Sequence, residues 1–172
     1  MIIWLNGAFG VGKTSVALGL QNKISNSFVF NPEDIGACIR NSMPSEMYQD
    51  DYQDYDIWRE FCHKQLKYIE NNFNGTIIVP MTITNQLYID EIIGKLLSDG
   101  IAVKHYILTA DKSTILARLN TRGVTDTEWP ALQIDRCLAA FSGSIKGTEI
   151  STNNKSLNEI VNEIIEQSQV LL

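Results

Sequence analysis

A chain of 172 residues, 44% hydrophobic and 20% charged, has the length and balance of one globular domain with a real core and is too short for two. Its formal net charge of −6 argues against a nucleic-acid partner and against broad binding to anionic membranes, since both call for a basic face. Any phosphate site must therefore be a local gathering of Lys, Arg and backbone N–H groups within an acidic body.

The chain opens on Met1-Ile-Ile-Trp-Leu-Asn6, which lacks the basic region and small-residue cleavage site of a signal peptide. No apolar run approaches the ~20 residues that span a bilayer, so no integral membrane segment is expected. Cys38, Cys62 and Cys137 are odd in number and widely spaced, which fits a reducing compartment better than a disulfide scaffold. With His63 and His105 isolated, no zinc-site spacing occurs, and the expected location is the cytoplasm.

Ile2–Leu5 is the first strand-like run, and a glycine-rich loop follows it. From Lys13 a helix carries Val16, Ala17 and Leu20 on one face. Phe28–Phe30 is a second strand; a helix with Ile35, Cys38 and Ile39 comes next. Residues 45–60 are acidic and aromatic and break the alternation. Thr76–Val79 is the third strand, then Ile89, Ile92, Ile93, Leu96 and Leu97 mark a helix that Gly100 stops. Val103–Leu108 is the fourth strand, and a helix from the N-cap Asp111 runs to Gly123. Polar residues 121–131 read as a second irregular connection. A weaker strand around Glu149–Ser151 precedes a final helix with Leu157, Ile160, Val161, Ile164 and Ile165 on one face, opened by a Ser156/Glu159 capping box. Strand–helix alternation with nearly continuous apolar strands predicts a three-layer α/β/α domain on a five-stranded parallel sheet. It spans 1–172, with an acceptor-binding insertion at about 40–72 and a lid at about 121–131, because long connections in compact domains are often lids or binding loops.

Gly7-Ala8-Phe9-Gly10-Val11-Gly12-Lys13-Thr14 matches G-x-x-x-x-G-K-[ST] in full, with the strand before it and the helix after it that the motif requires. The glycines let successive N–H groups face one concavity, and the helix N-terminus adds partial positive charge. Lys13 is placed to reach β- and γ-phosphates, the Thr14 hydroxyl to ligate Mg²⁺, and Ser15 to extend the cradle. ATP with Mg²⁺ is the expected nucleotide.

After the second strand, Glu33 or Asp34 can orient an acceptor hydroxyl and take its proton, or help hold Mg²⁺ through water. Alternatively, Asn31 or Glu33 merely caps the next helix, whose end carries Arg40, a candidate grip on an anionic acceptor or a solvated side chain. Among the aromatics of the irregular stretch, Trp58 and Tyr55 either stack on a flat part of the acceptor or turn to the core. The third strand ends at Thr82 without the Asp of a Walker B segment; Thr82 is the polar group left to meet the γ-phosphate or metal-bound water. Arg118 and Arg122 lie four apart and share a helix face. They resemble the arginines of adenylate-kinase-like enzymes, one against the adenine and one reaching the phosphates from the root of a lid. Arg136 resembles the third arginine of that set, unless it pairs with a nearby acid.

The opening Met1–Thr14, the segment Ile77-Ile-Val-Pro-Met-Thr-Ile83, Glu91-Ile-Ile-Gly94 and Gln133-Ile-Asp-Arg-Cys137 together resemble the tunicamycin resistance proteins of bacteria. The resemblance runs along nearly the whole chain. It implies an ATP-binding protein that protects against tunicamycin, a uridine-containing antibiotic, with a fold like nucleoside-monophosphate, shikimate and chloramphenicol kinases. The family's Asp-Pro-Glu after the second strand is Asn31-Pro32-Glu33 here, which keeps Glu33 as the matched acid. Some members associate with membranes through a C-terminal segment; Glu163–Leu172 has few basic residues for that.

Two functions compete: an ATP-dependent kinase acting on a hydroxyl of tunicamycin or a nucleoside-like metabolite, and a nucleotide-gated protein that sequesters the drug without chemistry. The arginine set and the acid after the second strand favour the first; the missing Walker B acid favours the second. A GTPase switch is disfavoured because no Asn-Lys-x-Asp guanine motif occurs. The oligomeric state stays open, a homodimer included.

Overall fold

The computed structural model describes residues 1–170. Five parallel strands, β1 (Ile2–Gly7), β2 (Ser27–Val29), β3 (Thr76–Pro80), β4 (Val103–Thr109) and β5 (Thr148–Ser151), form one sheet in the order β2-β3-β1-β4-β5. β1 lies in the centre, in register from Ile2 against Ile77 on one side and Val103 on the other. All six of its residues are buried, as expected of a strand covered by helices on both faces. β2, at the edge, is three residues long and leaves Phe28 exposed, so it offers little unpaired edge.

Helix α1 (Lys13–Lys23) buries Val16, Ala17 and Leu20 and packs beside α9 (Leu157–Ser168), which buries Ile160, Val161, Ile164 and Ile165. The Ser156/Glu159 capping box of α9 is formed in both directions, while Leu157 stays 44% exposed. Helix α2 (Pro32–Asn41) packs on α3 (Asp56–Asn72), with two short 3₁₀ turns, Ser45–Met47 and Tyr52–Asp54, between them.

The helix expected over Ile89–Leu97 is α4 (Gln86–Ile89) and α5 (Lys95–Ser98) joined by a π turn, Asp90–Gly94. Its extra residue changes the phase of the face. Ile89, Ile92, Ile93 and Leu96 remain buried, and Leu97 turns out to 53% exposure. Helix α6 (Lys112–Thr121) starts after Asp111, but the Asp111 side chain makes no capping bond. Its backbone N–H instead donates to Asn153 Oδ1 at 3.1 Å. Residues 122–128 then lead to α7 (Trp129–Leu132) and α8 (Ile134–Ser142).

No helix among the described residues is long and apolar enough to cross a membrane. Of the cysteines, Cys62 and Cys137 are buried and Cys38 is exposed, all as free thiols.

Candidate functional site

The site lies at the carboxyl ends of the central strands, where the chain leaves β1 for α1 and where parallel sheets ordinarily hold their ligands. Gly7 has φ 138°, and a Cβ there would stand 2.5 Å from the Leu108 carbonyl oxygen, so no side chain fits. Gly12 has φ 109° and forms the N-cap of α1 with no side-chain cap of its own, so its helix N-terminus points free N–H groups at the loop. Between them, Lys13 Nζ donates to the carbonyls of Gly7 at 2.9 Å and Ala8 at 3.0 Å. Burial lowers the Lys13 pKa from 10.5 to about 8; Cys137 and Glu33 act to raise it and Arg122 to lower it.

Two buried polar residues brace the loop from beneath. Asn6 Oδ1 accepts from the N–H groups of Gly7 and Ile83, both at 2.9 Å, while its amide donates to the Ile83 carbonyl at 3.0 Å. Its Nδ2 also lies 3.3 Å from His105 Nε2. Burial pushes the His105 pKa down to about 4, which keeps that imidazole neutral as an acceptor. Thr82, 2% exposed, donates its hydroxyl to the Gly7 carbonyl at 2.8 Å. Thr82 thus sits beside the loop as expected, with its proton committed to holding that loop.

Two cavities open on either side of the loop. One, of about 300 Å³, is lined by Lys13, Thr14, Asn31, Glu33, Thr82 and Arg122 among others. Asn31 caps α2, its Oδ1 accepting from the Glu33 N–H at 3.3 Å and its amide donating to Asp34 Oδ1 at 3.0 Å. Asn31 thereby takes the capping role and also ties Asp34, which does not line the cavity. Glu33 is the acid that faces the loop. Arg122, just past the end of α6, has no side-chain hydrogen bond or ion pair among the described residues and lines both cavities.

The other cavity, of about 320 Å³, is lined by Val11, Gly12, Ser15, Arg118 and Thr152 among others, with apolar walls from Val16, Leu157 and Ile160. Arg118 is locked across it, donating to the Val11 carbonyl at 3.1 Å, to Thr152 Oγ1 at 2.9 Å and to the Thr152 carbonyl at 2.9 Å. A planar guanidinium fixed against an apolar wall is a platform for a flat ring. Thr152 was not legible as a functional residue. Its one signal is a polar side chain straight after the last strand.

Phe9, in the loop, meets Trp129 of α7 edge to face, with ring centroids 5.0 Å apart and planes at 67°. Four expected site residues lie elsewhere. Trp58 is fully buried and its indole N–H donates to the Pro32 carbonyl at 2.9 Å, so it locks α3 to α2 and has no surface for an acceptor. Tyr55 is likewise buried, and its hydroxyl accepts from the Gln49 N–H. Arg40 donates to the Gln49 carbonyl at 2.6 Å and stacks 4.6 Å from the Tyr52 ring centroid, which spends it on the irregular stretch rather than on an anion. Arg136 pairs with the buried Asp51 at 2.6 Å and lines a third cavity instead of the loop.

No group of three or more His, Cys, Asp or Glu side chains among the described residues is arranged to hold a metal. The oxygen donors around the loop, Thr14 and Glu33 above all, suit a hard cation that keeps most of its waters.

Residues 3–132 match a family described as an AAA domain. The solved structure of a Deinococcus radiodurans tunicamycin resistance protein superposes with a TM-score of 0.84 at 30% identity, covering 99% of this chain and 96% of that one. A gluconokinase from Sinorhizobium meliloti 1021 gives 0.66 at 17% identity over 95% of this chain and 89% of its own. An APS kinase of Mycobacterium tuberculosis gives 0.59 at 14%, covering 98% and 96%. The last two are likenesses of fold. Comparison with curated protein sequences gave no match. A fold of this kind, with an intact phosphate loop, binds nucleotide.

Proposed function

This chain belongs to the P-loop, kinase-like AAA-domain family that includes tunicamycin resistance proteins, and on that premise we propose that it is an ATP-dependent phosphotransferase acting on a small-molecule hydroxyl. The acceptor is tunicamycin or a nucleoside-like metabolite. The observation that carries this reading is the meeting of Glu33 with Lys13, Thr14 and Arg122 in one cavity of about 300 Å³. An acid that faces the phosphate-binding lysine is placed to take the proton of an acceptor hydroxyl.

In the reaction the acceptor oxygen attacks the γ-phosphorus, the bond from that phosphorus to the β–γ bridging oxygen breaks, and ADP leaves. Glu33 receives the hydroxyl proton. Lys13 and Arg122 meet the charge that builds on the transferred group. Arg118 lies against the adenine. Thr14, with water-mediated help from Glu33, would hold Mg²⁺, which supplies further charge neutralisation when bound. Residues 122–128 serve as the lid, with Trp129 seated on Phe9 at its end.

One feature favours the sequestration reading: β3 and the Met81-Thr82 that follow it carry no acid, and the Thr82 hydroxyl is already committed to Gly7. Mass spectrometry separates the two. Tunicamycin and a nucleoside panel are incubated with protein and Mg-ATP, with Lys13→Ala as control. A phosphate-sized gain that vanishes in the variant is expected; tight, ATP-dependent binding of unmodified drug would replace transfer with sequestration.

A further inference from the structure

A third cavity, of about 430 Å³, lies beside the phosphate-loop cavity, bounded by Asp54, Thr84, Asn85, Tyr88 and Arg136. One stretch of chain after β3 reaches both. Thr82 lines one and Thr84, two residues on, lines the other. On the opposite side Arg136 borders the third cavity, while its neighbour Cys137 lies close enough to Lys13 to feel its charge.

The cavity wall is stiff and internally satisfied. Gln53, 1% exposed, accepts from the Thr84 N–H at 2.9 Å, and its amide donates to Asp51 Oδ2 at 2.6 Å. Arg59 donates to the Gln53 carbonyl at 2.7 Å, pairs with Glu91, and lies 4.0 Å from the Tyr88 ring centroid.

The charges of this chamber answer one another. Arg136, the one cation lining it among the described residues, is offset by its pair with the buried Asp51, and Arg59 behind the wall is offset by Glu91. Asp54 makes no ion pair among the described residues; burial, with Asp51 beside it, holds its carboxyl above the usual range, against the opposing pull of the Tyr88 hydroxyl and of Arg136 and Arg59 nearby. An acid docking here would face Asp54 and meet an Arg136 whose charge is already shared with Asp51. An amine would find only the Asp54 carboxylate. A group rich in hydroxyls finds what it needs: a carboxylate spans two neighbouring O–H donors.

We infer that this chamber receives the uncharged, polyhydroxylated part of the acceptor, a sugar ring rather than an acid or an amine. The inference rests on the phosphotransferase reading for the word acceptor; the binding itself does not.

Ligand-observed saturation-transfer NMR tests it on the full chain with glucose, N-acetylglucosamine and myo-inositol set against gluconate and glucosamine. The neutral compounds are expected to bind in preference to the charged pair, in wild type and equally in Lys13→Ala. Asp54→Ala is expected to weaken them about tenfold while ATP binding is retained, which also verifies folding. Asn85→Asp keeps the helix-capping oxygen and adds charge; it should weaken gluconate further and leave glucose unchanged. Stronger binding of gluconate or glucosamine than of the neutral set overturns the inference. So does an absence of transfer to any neutral compound, or Asp54→Ala that binds like wild type. If neutral sugars bind and phosphate never moves, the phosphotransferase reading falls and the chamber stands. If phosphate moves to an acceptor whose KM Asp54→Ala leaves unaltered, the chamber falls and the transferase stands.

Discussion

Around Gly7–Thr14 the molecule presents backbone groups and positive charge held without a counter-ion: Lys13 rests on two carbonyls and Arg122 on nothing. Around Asp51, Gln53 and Arg136, some eighty residues apart along the chain, it presents side chains whose charges and hydrogen bonds close on each other. Unmatched charge costs stability and is tolerated where a ligand supplies the match. A surface already matched within itself has only neutral hydrogen bonding left to offer. On the proposed phosphotransferase reading, the two regions would serve different halves of one reaction, a polyanion on one side and a hydroxyl-bearing partner on the other.

The contrast is open to attack at several points. Lys13→Ala should produce the largest loss, about 10³-fold in kcat/KM for phosphoryl transfer, measured by coupled ADP release. A loss under tenfold would mean that the lysine is not the charge the nucleotide seeks. Trp58→Ala should destabilise by about 3 kcal/mol or more in denaturant titration, because it empties a fully buried site and strands the Pro32 carbonyl. Unchanged stability with a raised acceptor KM would return Trp58 to the acceptor surface.

Glu33→Gln should lower kcat about 10²-fold and leave the Kd of ATP nearly untouched, as befits a group that handles the acceptor proton. Arg118→Ala should weaken ATP about tenfold in calorimetry, with little change in kcat at saturation.

The smallest effect is one of pH. The folded chain sheds the Lys13 proton near pH 8 whereas the unfolded chain keeps it to about 10.5. ATP affinity should therefore fall several-fold between pH 7.5 and 9, with proton uptake on binding seen by calorimetry in buffers of different ionisation enthalpy. Because the unfolded state binds more protons across that window, this group's contribution to stability rises with pH from 8 to 10.5. Lys13→Met should abolish the slope; a slope that persists assigns it to another group.

The same contrast explains what could be read from the sequence. The phosphate loop was legible because its chemistry is written in eight consecutive residues, and the central strands β1 and β3 because apolar runs covered on both faces stand out. The Asp51–Arg136 pair, the Gln53–Thr84 bond and the Arg59–Glu91 pair join residues 85, 31 and 32 apart, and nothing local announces such partners. Arg136 looked like a phosphate-seeking arginine for that reason. Trp58 looked equally like core or platform, since an indole suits both, and only the distant Pro32 carbonyl decides between them. The π turn in α4–α5 escaped because a one-residue expansion leaves the buried positions 89, 92, 93 and 96 in place and shows only at Leu97.

The edge-to-face pair of Phe9 and Trp129 gives the chain an optical property. It has three tryptophans, and Trp4 and Trp58 are sealed from solvent. Emission that a small collisional quencher such as acrylamide can reach therefore comes from Trp129 alone, at its contact with Phe9 of the phosphate loop. Whatever parts that ring from Phe9 changes the quenching constant, so the unlabelled protein carries its own gauge of how closed the nucleotide site is.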